Sequence, residues 1–546
     1  MSECLTSFLR EQLAELPEDF VVKVLSAVVA CSIAGLFVKI LLFGEPGPKR
    51  YTVPPPKLPD QERIVDEANI RIPGSTALQC YAPATGQFLG LINPSTADGI
   101  DRAIEAAAAA QKKWATTTFR ERRAVMRSML QYVLDNQEEL CRIACLDSGK
   151  TMVDAQLGEI LALRPSRRPT NLLMTYKRNE VVYEPLGVVA ALVSWNYPFH
   201  NLIGPVISAL FAGNAIVVKV SEQTAWSASF FASVARGALV AHGHDPALVQ
   251  PIVCWPHVAA SAAEALIPVV AELGGKDPSI ILASAAKDLD RIHKILLRGT
   301  FQSAGQNCIG IERIIVADSL YDKVVALVEP KVKAIRLGPT ADMGAMISDG
   351  SFSRLENLVA SAVKDGARLL AGGKRYAHPE HPKGHYFQPT LLVDVTPDME
   401  IANEECFGPI MVIMRAPAPA RSASPADIAD SILAIANAPD FGLGASVFGK
   451  ESDPVLPLVV RGLRTGGVAV NDFAAFYAVQ LPFGGVAGSG YGRFAGEEGL
   501  RGLCNAKSIC HDRAQCWRFT KGVVDMGYAL GVGGMVAGVF TILQNM

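Results

Sequence analysis

The sequence predicts an α/β protein built on parallel sheet, and three observations predict it. From residue 179 onward, short β-branched runs (VVYEPLGVVAALV, AIVVKVS, PSIILA, IERIIVA, LLVDV and GGVAVN) alternate with helical stretches, the pattern of strands joined by helical crossovers. The chain has 546 residues, half of them hydrophobic, enough for two to four domains with large cores. Its two ends are apolar in a way the body is not.

Taken in order, the elements begin with FVVKVLSAVVACSIAGLFVKILLF at residues 20–43, an apolar run long enough to cross a bilayer. Lys23 and Lys39 lie near its ends, where their stems can snorkel. It has no basic leader and no small-residue cleavage site, so it reads as an anchor. Glu11, Glu15, Glu18 and Asp19 precede it, and Lys49, Arg50 and Lys57 follow, which places the body on the cytosolic side. GEPGPKRYTVPPPKLPD, with six prolines, reads as an extended spacer holding the body off the membrane. NPSTADGIDRAIEAAAAAQKKWA predicts a turn and a capped helix. TFRERRAVMRSMLQYVLDNQEELCRIACLDSG predicts one long amphipathic helix with Val125, Met129 and Val133 on one face. The C-terminal stretch at 522–544 carries small-xxx-small pairs at Gly527/Gly531 and Gly534/Gly538, and Arg513, Arg518 and Lys521 precede it. Two readings stay open for it: a second span, or an apolar helix lying on the membrane or on its own domain.

Composition excludes several functions. Net charge is −2 with no basic tract, which argues against nucleic acid as a partner. The eleven cysteines show no CxxC and no Cys/His metal spacing, and His242 and His244 in AHGHDP read as a turn, so no metal site is expected.

Cys308 stands out. It lies in FQSAGQNCIGIER among Ala304, Gly305, Gln306, Asn307 and Gly310, whereas the other ten cysteines read as small buried hydrophobes. Thiols react as thiolates, and reactive ones sit in polar, accessible turns. Glu272 precedes Gly274 and Gly275 on a strand end or tight turn. The pair predicts a cysteine nucleophile served by a carboxylate base, in a compartment that keeps thiols reduced.

SWNYPFHN, AGNAIVVKVSEQT, AELGGKDP, FQSAGQNC, NEECFGPI and LPFGGVAGSGYGR, in this order and at these intervals, resemble the NAD(P)-dependent aldehyde dehydrogenase superfamily. The resemblance covers roughly residues 76–512. The N-terminal run and LRPSRRPTNLLMTYKRNEVVYEPLG are most similar to the membrane-anchored family 22 branch. The resemblance implies an aldehyde dehydrogenase-like fold: a Rossmann-like cofactor domain, an α/β catalytic domain and a small oligomerisation strand arm, with hydrophobic terminal helices. The boundaries expected are an anchor at 1–45, a Pro-rich linker at 46–75, a dinucleotide-binding domain at 76–271 interrupted by the arm at 176–187, a catalytic domain at 272–499, the rest of the arm at 500–513, and a hydrophobic segment at 514–546.

It also implies roles. Cys308 resembles the nucleophile that attacks an aldehyde, Glu272 the base that activates water for thioester hydrolysis, and Asn196 the oxyanion donor. Trp195, Lys219 and Glu222 resemble cofactor contacts; a carboxylate at Glu222 repels a 2′-phosphate and so favours NAD over NADP. Glu405 and Phe407 resemble the pair that places the nicotinamide ribose and ring. GGVAGSGYG lacks a strand–GxGxxG–helix context and does not read as a phosphate loop. A hydrophobic aldehyde substrate, a homodimer or larger homo-oligomer and the endoplasmic reticulum membrane complete the expectation.

Two stretches depart from the family. VQPIVCWPHVAASAAEALIPVVAELGG is about twenty residues short of the pattern and has no GSxxxG-like element, so the helix start that receives the pyrophosphate is missing. GEILALRPSRRPTN is short by roughly ten to fifteen residues of helix. Three functions therefore stand: an NAD-linked aldehyde oxidoreductase, a catalytically impaired member acting as a membrane-bound scaffold or non-functional isoform, and a thiol acyl-transfer enzyme without nicotinamide. Lys219, Glu222, Glu405 and Phe407 speak against the last.

Overall fold

The computed structural model of this protein describes residues 47–512 apart from 153–165, 169–176, 255–261, 263 and 476–480. The apolar runs at 20–43 and 522–544 lie outside the described residues. Among the described residues, no helix is long and apolar enough to cross a membrane.

The first layer of the fold is helical. A hairpin of β1 (Leu78–Tyr81) and β2 (Phe88–Ile92) leads into α1 (Ala97–Trp114), α2 (Phe119–Asp135) and α3 (Gln137–Ser148). Thr96 caps α1 by accepting from the Gly99 amide at 3.2 Å, and Thr118 with Glu121 forms a reciprocal cap on α2. The single long helix expected here is two helices. Asn136 leaves the helical region (φ −126°, ψ 27°), and its side-chain amide donates to the Tyr132 carbonyl at 2.8 Å. A short amide side chain competing for a backbone acceptor is what ends helices. Val125 and Met129 are buried as expected; Val133 is half-buried.

The next unit is the smaller of two parallel sheets. β5 (Val188–Leu192), α4 (Pro198–Ala212), β6 (Ala215–Val220), α5 (Ala225–Ala241) and β7 (Val249–Val253) form a three-stranded sheet in the order β5-β6-β7. Its core joins the helices of the first layer through Trp114, Val125, Met129, Val206, Phe231 and Leu239.

The larger sheet follows. β8 (Ala271–Glu272) is a two-residue strand. Then come β9 (Pro278–Ile281), α6 (Leu289–Phe301), β10 (Arg313–Val316), α7 (Tyr321–Lys333), α8 (Phe352–Lys364) and β11 (Arg368–Ala371). A short hairpin of β12 (Arg375–Tyr376) and β13 (Tyr386–Phe387) precedes β14 (Thr390–Val393), α9 (Glu400–Asn403) and β15 (Ile410–Arg415). α10 (Pro425–Ala436), β16 (Gly444–Phe448), α11 (Val455–Gly462) and β17 (Gly467–Val470) complete it. The order is β11-β14-β15-β10-β9-β16-β17, parallel except for β11. Helices α6, α7, α8, α10 and α11 contribute to its apolar core, which is why its strands read as continuous hydrophobic runs.

The chain closes with β18 (Gly490–Tyr491), α12 (Gly496–Arg501) and β19 (Cys504–Asp512). β18 pairs antiparallel with β8, setting Gly490 opposite Glu272. β3 (Ser166–Arg168) and β4 (Lys177–Pro185) join β19 in a separate antiparallel sheet, with β19 at one edge. The VVYEP part of the first β-branched run thus belongs to this ribbon, and only VVAAL to the parallel sheet.

The Pro-rich segment departs from its expected role as a spacer. The Lys49 amide donates to Ser128 Oγ at 2.7 Å and its ammonium to the Ala241 carbonyl at 2.9 Å. Tyr51 stacks on Tyr132 with ring centroids 5.0 Å apart and donates to the Val234 carbonyl at 2.8 Å. Gly237 makes the seat: a Cβ there would stand 2.6 Å from the Tyr51 ring. Aromatic burial and satisfied polar groups hold residues 49–53 against α2 and α5, where composition alone suggests extended chain.

Candidate active site

Cys308 follows α6 through a loop of unusual backbone. Ser303, Ala304 and Gly305 have φ of 55°, 54° and 72°, a left-handed run that costs energy at the non-glycine positions. Gly305 cannot be anything larger, because a Cβ would collide with the Gly408 carbonyl. This contact presses the cysteine loop against the turn that carries Glu405 and Phe407. Gln306 locks the loop, donating to the Ser303 carbonyl and accepting from the Ile347 amide, both at 2.9 Å.

The carboxylate arrives from the other side. Glu272 ends β8, and its Oε1 accepts from the Gly274 amide at 2.7 Å. The Cys308 thiol lies near the same carboxylate, whose negative charge acts on it. The glycine-rich GGVAGSGYG segment supplies the facing strand β18, so it braces Glu272.

Asn196 completes a triangle. Its Oδ1 accepts from Ser194 Oγ at 2.8 Å and from Asn201 Nδ2 at 3.0 Å. Its Nδ2 donates to the Gln306 carbonyl at 3.1 Å, two residues before the cysteine. With Oδ1 satisfied twice, the amide is held with its NH2 toward the Cys308 loop, and its second N–H is the donor an oxyanion would meet.

The electrostatics differ from the accessible, activated thiol expected. Cys308 is half-buried and touches a small apolar cluster of Ile309, Leu443 and Phe483. Burial pushes its thiol well above the ordinary range, and the negative charges of Glu272, Asp277 and Glu405 add to the rise. Burial also raises Glu272 and pushes Glu405 up to about 7, helped by Glu312. Cys308 is thus a neutral thiol at pH 7. Alkylation by iodoacetamide is expected to rise about tenfold per pH unit from 7 to 9 with no plateau. Glu272→Gln is expected to speed it roughly three- to tenfold at pH 8. A plateau below pH 8, followed by mass spectrometry of the Cys308 peptide, overturns this charge assignment.

Glu405 and Phe407 sit on the turn after α9. Glu405 Oε1 accepts from the Gly275 amide at 3.0 Å, and the carboxylate fills the space over Gly274, where a Cβ would stand 2.5 Å from it. Phe407 (φ 49°) faces Trp195 edge-on, with centroids 5.6 Å apart.

Glu312 holds this turn, a role sequence reasoning missed. It accepts from the Cys406 and Phe407 amides at 2.8 and 2.9 Å and from Lys276 Nζ at 2.6 Å. Lys276 is wholly buried. Charged residues beside the β-branched runs of GGKDPSII and IGIERIIV were the available signal. Lys276→Met strands a buried carboxylate and is expected to cost about 3–5 kcal/mol. Thermal or denaturant unfolding checks it, and a loss below about 1 kcal/mol removes the pair from the list of essential contacts.

Lys219 and Glu222 form a second group. Lys219 is next to last in β6, opposite Leu192 of β5, and its Nζ lies 3.2 Å from Glu222 Oε2. The Val193 amide donates to the Lys219 carbonyl at 3.0 Å, tying this group to the loop that carries Trp195 and Asn196. Both residues stand at the carboxyl ends of parallel strands, where dinucleotides bind. The structure thus brings Cys308, Glu272 and Asn196 together, with Glu405, Phe407 and Trp195 beside them. Lys219 and Glu222 pair with each other along the same sheet edge. No contact joins them directly to Cys308 among the described residues.

The remaining cysteines follow their expected character unevenly. Cys80, Cys141 and Cys406 are buried, Cys145, Cys254 and Cys504 half-buried, and Cys510 exposed on β19; Cys4, Cys31 and Cys516 lie outside the described residues. His242 and His244 sit in the turn after α5, His242 against Ser128 Oγ at 2.8 Å and His244 edge-on to Trp114.

A half-buried thiol and carboxylate with an amide donor held to the thiol's loop, at the seam of two parallel sheets, define a thiol enzyme with a dinucleotide-type sheet edge. The chain belongs to the aldehyde dehydrogenase family, whose family model matches residues 72–250 and 255–509. It is 46% identical over 543 residues to an aldehyde dehydrogenase-like protein of Saccharomyces cerevisiae, covering 86% of this chain and 82% of that one. An aldehyde dehydrogenase-like protein of Schizosaccharomyces pombe is 45% identical over 534 residues, covering 86% of this chain and all of the relative. Among solved structures, an aldehyde dehydrogenase of Mycobacterium tuberculosis complexed with NAD+ superposes with a TM-score of 0.70 at 27% identity, covering 80% of this chain and 95% of that one. The break in the family match, at 251–254, falls at the end of β7. That is where the sequence runs short of the family pattern.

Proposed function

We propose that this chain is a membrane-anchored oxidoreductase of the family 22 type that oxidises a hydrophobic aldehyde to a carboxylic acid with NAD. The observation that carries the chemistry is the convergence of the Cys308 thiol and the Glu272 carboxylate, with the Asn196 amide donating to the Gln306 carbonyl two residues before the thiol. The residues present fit the two ends of a dinucleotide. Lys219 and Glu222 are placed for the adenosine ribose, with the Glu222 carboxylate favouring NAD over NADP, and Trp195, Glu405 and Phe407 for the nicotinamide end. The pyrophosphate end is left to the segment between β7 and β8, where the sequence carries no GSxxxG-like element and residues 255–261 and 263 lie outside the described residues.

In this reading Cys308 releases its proton to solvent, Glu272 stays a carboxylate, and the thiolate sulfur bonds to the aldehyde carbon. The carbonyl oxygen takes the negative charge and accepts from Asn196 and the Cys308 amide. NAD held by Glu222 at one end and by Trp195, Glu405 and Phe407 at the other would supply the hydride acceptor that turns the Cys308 adduct into a thioester. Glu272 then takes a proton from water, the hydroxide adds to the thioester carbon, and the carboxylic acid departs as the thiol re-forms.

The 20–43 run supports the anchor, and with it a cytosolic body at the endoplasmic reticulum. The exposed β19 edge supports a homodimer made by strand addition. The domain boundaries at 76–271 and 272–499 follow the two sheets. NADH formation on adding short- to long-chain aldehydes, in detergent with saturating NAD, tests the activity; no turnover with any of them overturns it. The shortened segment favours a second reading, a catalytically silent scaffold, which ordinary micromolar NAD binding by calorimetry rules out.

A further inference from the structure

We infer that the exposed face of α1 and α2 beside the docked linker is a contact surface for anionic lipid headgroups. The inference rests on the anchored reading above and adds which face of the body meets the membrane.

The chain leaves the apolar run at Phe43 and is fixed to the body by Lys49 and Tyr51, six and eight residues later. A few residues of extended chain reach at most about 3.5 Å each, so the face around this dock stays within roughly 30 Å of the membrane. That face is basic. Arg50 is 81% exposed, and Lys112, Arg120 and Arg127 are exposed with it. Lys49 and Lys113 both lie close enough to His244 to act on it electrostatically. Near this basic cluster Asp135 lies 3.5 Å from Arg50 and Glu121 caps α2 through Thr118, while the exposed Asp98, Asp101 and Glu105 lie in the first half of α1, away from Lys112 and Lys113.

Apolar side chains stand among the charges. Leu130 and Leu134 are 40% and 52% exposed on the stripe of α2 that carries Arg120 and Arg127, and Val240, at the end of α5 beside Lys49, is 58% exposed. Basic residues with exposed aliphatic neighbours, tethered next to a spanning segment, match the chemistry of a phosphate-bearing interface. The net charge of the whole chain is only −2, so this concentration of positive charge is local.

Lysine footprinting of the full chain tests the contact, using a membrane-impermeant acylating reagent and nanodiscs of phosphatidylcholine with or without phosphatidylserine. Lys112 and Lys113 are expected to react about fivefold more slowly in phosphatidylserine discs and to recover at about 0.5 M salt. Lys364 and Lys374, exposed on the other domain, are expected to react equally in both lipids. Equal rates at Lys112 and Lys113 in the two lipids overturn the surface while leaving the anchor intact. A chain that stays out of the discs overturns the anchor instead. The surface is then judged by flotation with phosphatidylserine vesicles, where salt-sensitive binding weakened about fivefold by Lys113→Gln supports it and no binding overturns it.

Discussion

Cys308→Ala is expected to lower aldehyde-dependent NADH formation by about four orders of magnitude or more, because no other group near the site can form the covalent adduct. Cofactor affinity should not move, since Lys219 and Glu222 sit apart from the thiol along the sheet edge. The carboxylate is separable from the thiol in the same assay. Glu272→Gln keeps the loop contact to Gly274 but cannot accept a proton. Its first turnover should leave a stable acyl group on Cys308 that intact mass spectrometry detects as the added mass of the acid. Comparable NADH formation in Cys308→Ala would remove Cys308 as the nucleophile. Rapid product release in Glu272→Gln would remove Glu272 as the base while leaving the thiol assignment standing. The raised position of both groups predicts that activity increases as pH climbs from 6 to 9, because the group that must lose a proton is above its ordinary value in the folded protein.

Restoring the family's strand, glycine turn and helix start between Val253 and His257, about twenty residues, is expected to lower the NAD dissociation constant by about three orders of magnitude, ~4 kcal/mol. A helix N-terminus offers free amides and a positive dipole end to the pyrophosphate. The chain as it stands presents a three-stranded sheet ending at β7 among the described residues. The relative from Schizosaccharomyces pombe aligns over more residues than the share of this chain that is covered, so it carries stretches for which this chain has no counterpart. Calorimetric titration of the two forms decides the matter. Equal affinities would show that the ribose pair and the aromatic pair suffice and that the lost turn is dispensable.

Much of this was legible in residues. Thr96 and Thr118 announced helix starts by their type and spacing, because capping is local chemistry. Cys308 announced itself by its small polar neighbours, and Lys219 with Glu222 only through the resemblance of KVSE and its flanking motifs to the family. Asn136 was readable in principle: a short amide inside an otherwise helical pattern marks a break, but the hydrophobic period continued across it and hid the boundary. Glu312 was not readable, because what it holds, the turn at Cys406 and Phe407, is 94 and 95 residues away.

The linker shows the same divide. Six prolines describe how stiff a segment is and say nothing about whether a stacked tyrosine pair will fasten it. The thiol shows it too. Residue types name a cysteine that can react, but its protonation depends on how much water is excluded and how many carboxylates converge on it. By itself the sequence determined the class of this protein, its candidate nucleophile and base, the apolar ends and the place where it departs from the family pattern, since each rests on residue type and spacing along the chain. Only the tertiary structure decided that the Lys276–Glu312 pair anchors the turn at Cys406 and Phe407, that burial and three nearby acids raise the Cys308 thiol, and that the N-terminal linker is held against α2 and α5. Each of these depends on groups far apart in the chain meeting where water is displaced, and no local pattern encodes that meeting.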